Sequence, residues 1–525
     1  MQKYLLKISR SGWILLAIIV VGFFFRDFRH YDFLRFNPDQ ARDAALVRDV
    51  IAGKAPIPLL GPQAGGTDFK LGGAFYQIEI VSAKIFGESP DRLAYPDLFF
   101  SILSIVLLYF FMREFFGDKI SLWLCAVFAV SFYTVKYARF AWNPNSTPFY
   151  VLLFLYSILQ LVKNDQKRKW LWAVAIGLAA GIGIQLHSLL LFSFPIVLIL
   201  YFAYLFWKKN PAWKFAPLII LTTLIFNAPQ IANELQTGGK NIGAFFDGLE
   251  NKSSREGSLA YKLTLSAVCH VQANSFMLLP LGSDSSCDFI DAQKNISENK
   301  LLPFHIVLAT VFSLGGYFLL FRSWRREEDE RKRNFLGLII FYAGTLFVIL
   351  IPLAAEISFR FFLVLEFMPF LLLGFWLKYL QEKFSPKSII IVIVAVIVII
   401  NCYVLVRNFT YLAGQTKEGS NGFEEITLGE VEYMANFIET HSVGAKNVYL
   451  EGKASELFKI TKPIQYFTDT LGLEVNNLKK NQAIDSSEKI FSIDVVKDSA
   501  GENSAPDGVV AEGSFNRIRI YEIEK

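Results

Sequence analysis

The run Trp13-Ile14-Leu15-Leu16-Ala17-Ile18-Ile19-Val20-Val21-Gly22-Phe23-Phe24-Phe25, with Asn37-Pro38-Asp39-Gln40-Ala41-Arg42-Asp43 soon after it, decides how this chain is read. The first run has no charge and suits a helix crossing hydrocarbon. Lys3, Lys7 and Arg10 precede it. By the positive-inside rule the N-terminus is then cytoplasmic and the second run emerges on the outer face. Helix geometry sets residues three and four apart side by side, so Asp39, Arg42 and Asp43 are expected to converge. A purely structural reading competes with a chemical one here. Asn37 as N-cap, Pro38 at the first helical position and Gln40 closing a capping box describe a helix start. An acid in that first turn gains only about 0.3–1 kcal/mol from the helix dipole.

Hydrophobic residues make up 53% of the 525, and the mean hydropathy is +0.38. The apolar residues come in blocks long enough for a bilayer, which predicts a polytopic α-helical membrane protein. About eleven spans are expected, at 11–25, 94–112, 119–136, 147–163, 170–187, 189–207, 214–230, 303–321, 334–352, 361–380 and 388–406. Lys and Arg collect at alternate connections: Arg113 and Lys119; Lys163, Lys167, Arg168 and Lys169; Lys208, Lys209 and Lys214; Arg322 through Arg333; Lys383 and Lys387. That alternation fits short cytoplasmic loops and puts the C-terminus outside. The first span has no small-residue cleavage site and reads as an anchor. The net charge of +5 reflects this loop bias, and no basic stripe interleaved with aromatics points to nucleic acid.

Three long segments then lie on the outer face, 26–93, 231–302 and 407–525, and only there is enough polar chain available to wall a site. Residues 1–406 form the transmembrane module. Residues 407–525 turn polar, with a helical stretch near Glu424–Thr440 and strand-like runs at Asn447–Leu450, Ile490–Val496 and Ile518–Ile523, as in a small extracytoplasmic α+β or α/β domain. Cys269 and Cys287 share the second outer segment. They are either two free thiols or a disulfide contributing roughly 3 kcal/mol.

Further candidates sit at outer span ends. The stretch 74–87 is apolar, amphipathic and short, as in a helix lying in the interface. Tyr137 and Trp142 read as interfacial belt residues. Arg139 either snorkels or clamps a phosphate bidentately. His187, at a sharp reversal between spans, is either a satisfied polar residue or a ligand. Arg360 and Glu366 are ionisable groups near membrane depth, which either pair inside the bundle or act on a substrate. The chain has no Asp-x-Asp and no P-loop, so an inner-face nucleotide-sugar site has nothing to be built from. No His/Cys spacing suggests zinc. A divalent cation has no ligand motif in its support, and no other cofactor is indicated.

In order, these residues resemble the GT-C class of membrane glycosyltransferases, specifically the bacterial family 39 and RgtA/B/C/D-like group. The resemblance runs from the first span to about residue 375. It rests on the acidic helix Asp39 to Asp43, the turn Gly61-Pro62 and the interface helix Tyr76 to Gly87. It continues through the R-x-x-W-N-P-N loop Arg139 to Asn145, the Ile184-Gln185-Leu186-His187 end, the segment Pro229 to Leu235, and Arg360 among aromatics. Relatives commonly carry His or Glu and Pro near the start of the interface helix, where this chain has Lys70-Leu71-Gly72-Gly73. That departure speaks against a metal there and points to Lys70 as a contact for an anionic donor.

The resemblance implies transfer of a sugar from a polyprenyl-phosphate donor to an extracytoplasmic glycan, lipid or protein, with inversion, by a multi-pass protein of the plasma membrane. Asp39 would be the base or would orient the acceptor. Arg139, Arg360 and Lys70 would hold the donor phosphate, and Gln40, Arg42, Asp43, Asn143 and His187 would support or contact substrate. A lipid-linked sugar flippase and a non-enzymatic anchor for the C-terminal domain are the alternatives.

Overall fold

The computed structural model describes residues 9–163, 167–253, 257–280, 302–354, 357–384, 388–416, 426–479, 485, 488–495 and 505–524. The first helix, α1 (Arg10–Asp27), starts at Ser9, whose hydroxyl accepts the Gly12 N–H. Along the chain follow α2 (His30–Phe33), α3 (Pro38–Ile51), the hairpin strands β1 (Leu60–Gln63) and β2 (Lys70–Gly72), α4 (Ala74–Phe86), α5 (Pro90–Leu93) and α6 (Tyr95–Val130). Then come α7 (Phe132–Tyr137), α8 (Thr147–Val162), α9 (Lys169–Leu186), α10 (Ser188–Trp207), α11 (Ala216–Phe226), α12 (Ala228–Thr237), α13 (Lys240–Ser253) and α14 (Leu259–Leu278). Helices Leu302–Arg326, Glu330–Leu350, Met368–Lys383 and Ser388–Leu412 complete the bundle.

Helix α6 is two elements folded back on each other at Gly117, whose φ of 73° is open to glycine at little cost. The Cys125 thiol reaches the Ile105 carbonyl at 3.6 Å across the fold, and Tyr109 and Arg113 both hold Asp118. The expected spans 94–112 and 119–136 are therefore the two limbs of this hairpin. Six helices are long and apolar enough to cross a membrane, and two bent pairs raise the number to eight among the described residues. This is fewer than the eleven expected, for local reasons. The α6 hairpin counts once, α8 has only 16 residues, and α1 carries Arg10, Arg26 and Asp27 at its ends.

Gly22 lets α1 lie against both limbs of α6, since a Cβ there would stand 2.8 Å from the Ile105 side chain. Arg26, fully buried, fastens the same contact. Its guanidinium donates to Ser101 Oγ (2.9 Å), to the Ala129 carbonyl (2.7 Å) and to Thr134 Oγ1 (3.1 Å).

Beyond the last bundle helix, which runs to Leu412 and so past the expected boundary at 406, lies a five-stranded sheet. Its strands are β3 (Asn447–Glu451), β4 (Glu474–Asn477), β5 (Lys489–Val495), β6 (Val509–Phe515) and β7 (Ile518–Ile523), in the order β4-β3-β5-β7-β6. The β4-β3-β5 pairs are parallel and the β5-β7-β6 pairs antiparallel. Helices Leu428–His441 and Ala454–Thr468 pack with this sheet. The unit docks on α3 and the segment before it. Phe36 N–H donates to Ile426 O (3.0 Å), Leu428 N–H to Leu34 O (2.7 Å), and Arg48 to Tyr466 O (2.9 Å).

A buried ion pair holds the unit together: Arg517 forks onto Glu430 at 2.9 and 2.8 Å. Glu430 also closes a capping box with Thr427. Replacing one partner leaves the other charge buried without its match, a loss of about 3–5 kcal/mol. Glu430→Gln should therefore expose residues 426–524 to limited proteolysis at temperatures where the native chain resists. Equal resistance would show that the pair adds nothing.

Candidate active site

Helix α3 begins as its sequence predicts. Asn37 is the N-cap, Pro38 is the first helical residue, and the Asn37 N–H donates to Gln40 Oε1 at 3.2 Å. Asp39, Arg42 and Asp43 converge. Arg42 takes Asp43 bidentately, at 2.9 and 3.1 Å, and reaches Asp39 Oδ1 at 3.1 Å. The two acids differ in setting: the Asp43 side chain is 2% exposed and that of Asp39 is 60% exposed. Among the described residues the second oxygen of Asp39 has no hydrogen-bond partner.

Behind Asp43 lies the interface helix α4, which the sequence places at 74–87. Tyr76 donates its hydroxyl to Asp43 Oδ1 at 2.8 Å. Burial pushes the Asp43 carboxyl up to about 6, while Arg42 and the Tyr76 hydroxyl pull it down. Glu79, one turn further along α4, is buried with neither carboxylate oxygen partnered among the described residues. Burial, and then the charges of Asp43 and Asp97, hold its carboxyl well above the usual range.

The loop Arg139 to Asn145 is fixed from four sides. The Arg139 guanidinium donates to the carbonyls of Phe25 (2.9 Å), Arg26 (2.8 Å) and Phe28 (2.8 Å) at the end of α1. Asp97 accepts the Trp142 N–H (3.1 Å) and the Ser146 hydroxyl (2.7 Å). Gln40 Nε2 donates to the Ala141 carbonyl at 3.2 Å, and Asn143 Nδ2 to the Leu186 carbonyl at 2.8 Å. The expectation that Arg139 holds a phosphate is thus corrected: burial among orphan helix carbonyls engages its fork. Tyr137 and Trp142 are not belt residues either. Tyr137 is buried, and the half-buried Trp142 ring faces a cleft.

That cleft is open on one side and spans about 1080 Å³ with its solvent-filled mouth included. One wall is Asp39 with the Trp142-Asn143-Pro144 loop; another is His187 and Ser188 between α9 and α10; a third is Arg360 and Phe361. The β1–β2 hairpin and Phe245 of α13 close it over, with the Phe245 ring against Phe69 and Phe192. Four residues singled out from the sequence, Asp39, Asn143, His187 and Arg360, therefore share one cleft. Lys70 does not join them. It is exposed on β2, and its backbone N–H and carbonyl are both held by the Asn241 amide. Gln40, Arg42 and Asp43 stand behind the wall.

Arg360 is exposed and lies over the rings of Phe361 and Trp142, at 5.5 and 5.9 Å, with no carboxylate partner among the described residues. His187 accepts the Leu189 N–H on Nδ1 at 3.1 Å, so its ring proton resides on Nε2. Burial, with the Arg360 charge nearby, lowers its pKa to about 3, and it stays a neutral donor at physiological pH. The hairpin is seated by Gln185, whose Oε1 accepts the Ala74 N–H at 3.2 Å and whose side chain leaves no room for a Cβ at Gly72.

Asp97, Glu79, Phe192 and Phe245 were not singled out from the sequence, and Tyr76 was named only as the start of the interface helix. For Asp97 and Glu79 a signal existed, an acid within an apolar run. For the two phenylalanines there was none, since they resemble any other apolar helix residue.

Residues 73–232 match the family model described as dolichyl-phosphate-mannose-protein mannosyltransferase. Over 98% of both chains the fold is similar to that of ArnT from Cupriavidus metallidurans, at 12% identity and a TM-score of 0.52. It is also similar to the Archaeoglobus fulgidus oligosaccharyltransferase, at 12% identity and a TM-score of 0.52, over 88% of this chain and 62% of that one. No curated protein matches the sequence. The family model covers less than a third of the chain and the solved structures share its fold, so the likeness is to membrane glycosyltransferases of the GT-C class, the class the sequence resembles. Within that class, the matched segment opens on the interface helix behind Asp43 and runs through the Trp142 loop and His187.

Cys269 is disulfide-bonded, and Cys287, its expected partner, lies outside the described residues. Non-reducing peptide mapping of thiol-blocked protein should yield the 269/287 linked pair. Recovery of both as alkylated thiols would rule the pair out.

Proposed function

We propose that the protein transfers a sugar from a polyprenyl-phosphate donor to a hydroxyl of an extracytoplasmic glycan, lipid or protein, with inversion at the anomeric carbon. One observation carries this reading: among the described residues, a single cleft presents a carboxylate with an uncommitted oxygen and a guanidinium without a carboxylate partner. The side assignment draws on the alternating Lys and Arg loops, which put α3 and the C-terminal unit outside and the N-terminus inside.

In this mechanism Asp39 takes the proton of the acceptor hydroxyl as its oxygen attacks the anomeric carbon. The bond from that carbon to the phosphate oxygen breaks on the opposite face, and its electron pair leaves with the polyprenyl phosphate. Arg360 and the Nε2–H of His187 stabilise the charge that gathers on the departing phosphate. A glycosidase needs a second carboxyl to protonate its leaving group; a phosphate leaves without one. Arg42, tied to Asp43, orients Asp39 while leaving one of its oxygens to the substrate.

Capping and catalysis predict different outcomes for Asp39→Asn. As a mere dipole partner, Asp39 would cost about 1 kcal/mol at most on replacement. As the base, its loss should cut turnover by roughly 10²–10⁴-fold while the protein stays folded. A folded Asp39→Asn chain with near-normal sugar transfer would remove Asp39 from the chemistry.

Tyr76→Phe tests the support. The Tyr76 hydroxyl lowers the pKa of Asp43, so without it the carboxyl titrates above its native value of about 6. Protonated Asp43 no longer chelates Arg42, so activity is lost as pH falls through that value. The acid limb of the pH–rate profile should therefore move to higher pH in the variant. An unmoved limb would separate Asp43 ionisation from turnover.

A further inference from the structure

Trp142 is held more firmly than an interfacial tryptophan needs to be. Its backbone N–H is fixed on the buried Asp97 carboxylate at 3.1 Å, and the neighbouring residues Ala141 and Asn143 are pinned to α3 and to the end of α9. Its ring lies nearly parallel to Tyr137, at 6.3 Å and 15°, and to Phe140, at 5.8 Å and 27°. Tyr133 backs Tyr137 at 4.7 Å and is itself anchored, its hydroxyl donating to the Phe359 carbonyl next to Arg360 at 2.6 Å. The result is a rigid aromatic stack with one member, Trp142, reaching the cleft that also contains Asp39 and Arg360.

We propose that the Trp142 indole is the platform on which the transferred sugar ring rests, and that it favours pyranoses presenting a face of axial C–H bonds. The inference rests on the reading of the cleft as the donor site. The electron-rich face of an indole attracts groups with positive edges. The C–H bonds of a sugar, polarised by their oxygens, form such an edge when several point the same way. Arg360, 5.9 Å from the ring centroid, places the donor phosphate beside the indole, so a sugar esterified to that phosphate falls over the ring. Asp39, on the same wall as Trp142, is then at hand for the acceptor hydroxyl.

The test compares the full chain with Trp142→Leu and Trp142→Phe in vesicles. The probes are sugar-free polyprenyl phosphate and polyprenyl phosphates carrying glucose, mannose or galactose. Trp142→Leu should bind the sugar-free carrier as the native chain does and the glycosylated carriers up to about tenfold more weakly, the worth of a lost aromatic contact. Trp142→Phe should recover part of that loss. Unchanged affinity of Trp142→Leu for every glycosylated carrier overturns the platform. Equal loss for carriers with and without sugar also overturns it, because Trp142 would then act only by seating Arg360. A native chain that binds neither kind of carrier refutes the donor-site reading itself, and that result is separate from either outcome in the variants.

Discussion

The last carbonyls of a helix have no partner further along the chain, and at a membrane boundary little water is present to serve them. At the end of α1 those carbonyls belong to Phe25, Arg26 and Phe28, and Arg139 satisfies all three with one guanidinium. A planar, always-charged fork is suited to this, and its positive charge also complements the negative end of the helix dipole. Much of the site follows from that constraint. With Arg139 fixed, the chain after it passes close to Asp97, Gln40 and the end of α9, and each of these takes one of its polar groups. The R-x-x-W-N-P-N pattern thus records a folding requirement: its polar side chains, Arg139, Asn143 and Asn145, all donate to backbone carbonyls, and Trp142, Asn143 and Pro144 are delivered to the cleft.

The other wall is positioned by charge. A buried carboxylate with no cation would be costly, and Asp43 meets that cost with Arg42 and Tyr76. Arg42 in turn has one nitrogen left for Asp39, so a buried pair orients an exposed acid without neutralising both of its oxygens. The C-terminal unit braces the far side of the same helix. Phe36 packs against Tyr466 and Phe467, and Arg48 caps the Tyr466 carbonyl. Helix α3 is therefore held between α4 and a domain in which the sequence shows no chemistry. Such a brace is a use for that domain that needs no catalytic residue in it.

The fold was largely legible in the sequence because its causes are local. Apolar block length marks helices, Asn37, Pro38 and Gln40 mark the start of α3, and a change to polar composition marks the sheet unit, three of whose strands fall where alternating residues predict them. The helices Ala454–Thr468 and Lys240–Ser253, and strands β4 and β6, were not foreseen, since their positions depend on contacts remote in the chain. The break inside α6 was legible too: the expected spans 94–112 and 119–136 are its two limbs, which the backbone reversal at Gly117 folds against each other.

Arg139 and Arg360 show where reading residues one at a time stops. Both stand near ends of apolar helices, both have aromatic neighbours in sequence, and either is chemically able to hold a phosphate. What separates them is whether their donors are already engaged. Arg139 is buried and satisfied by carbonyls more than a hundred residues away in the chain, and Arg360 is exposed over two rings that take its charge, its N–H groups unused among the described residues. A cation–π contact orients a guanidinium and leaves its hydrogen-bonding edge available. An anion-binding residue needs that combination, fixed in direction and unsatisfied in its donors. It arises only when distant segments supply aromatic faces in place of oxygens, which makes it a property of packing and not of the residue type.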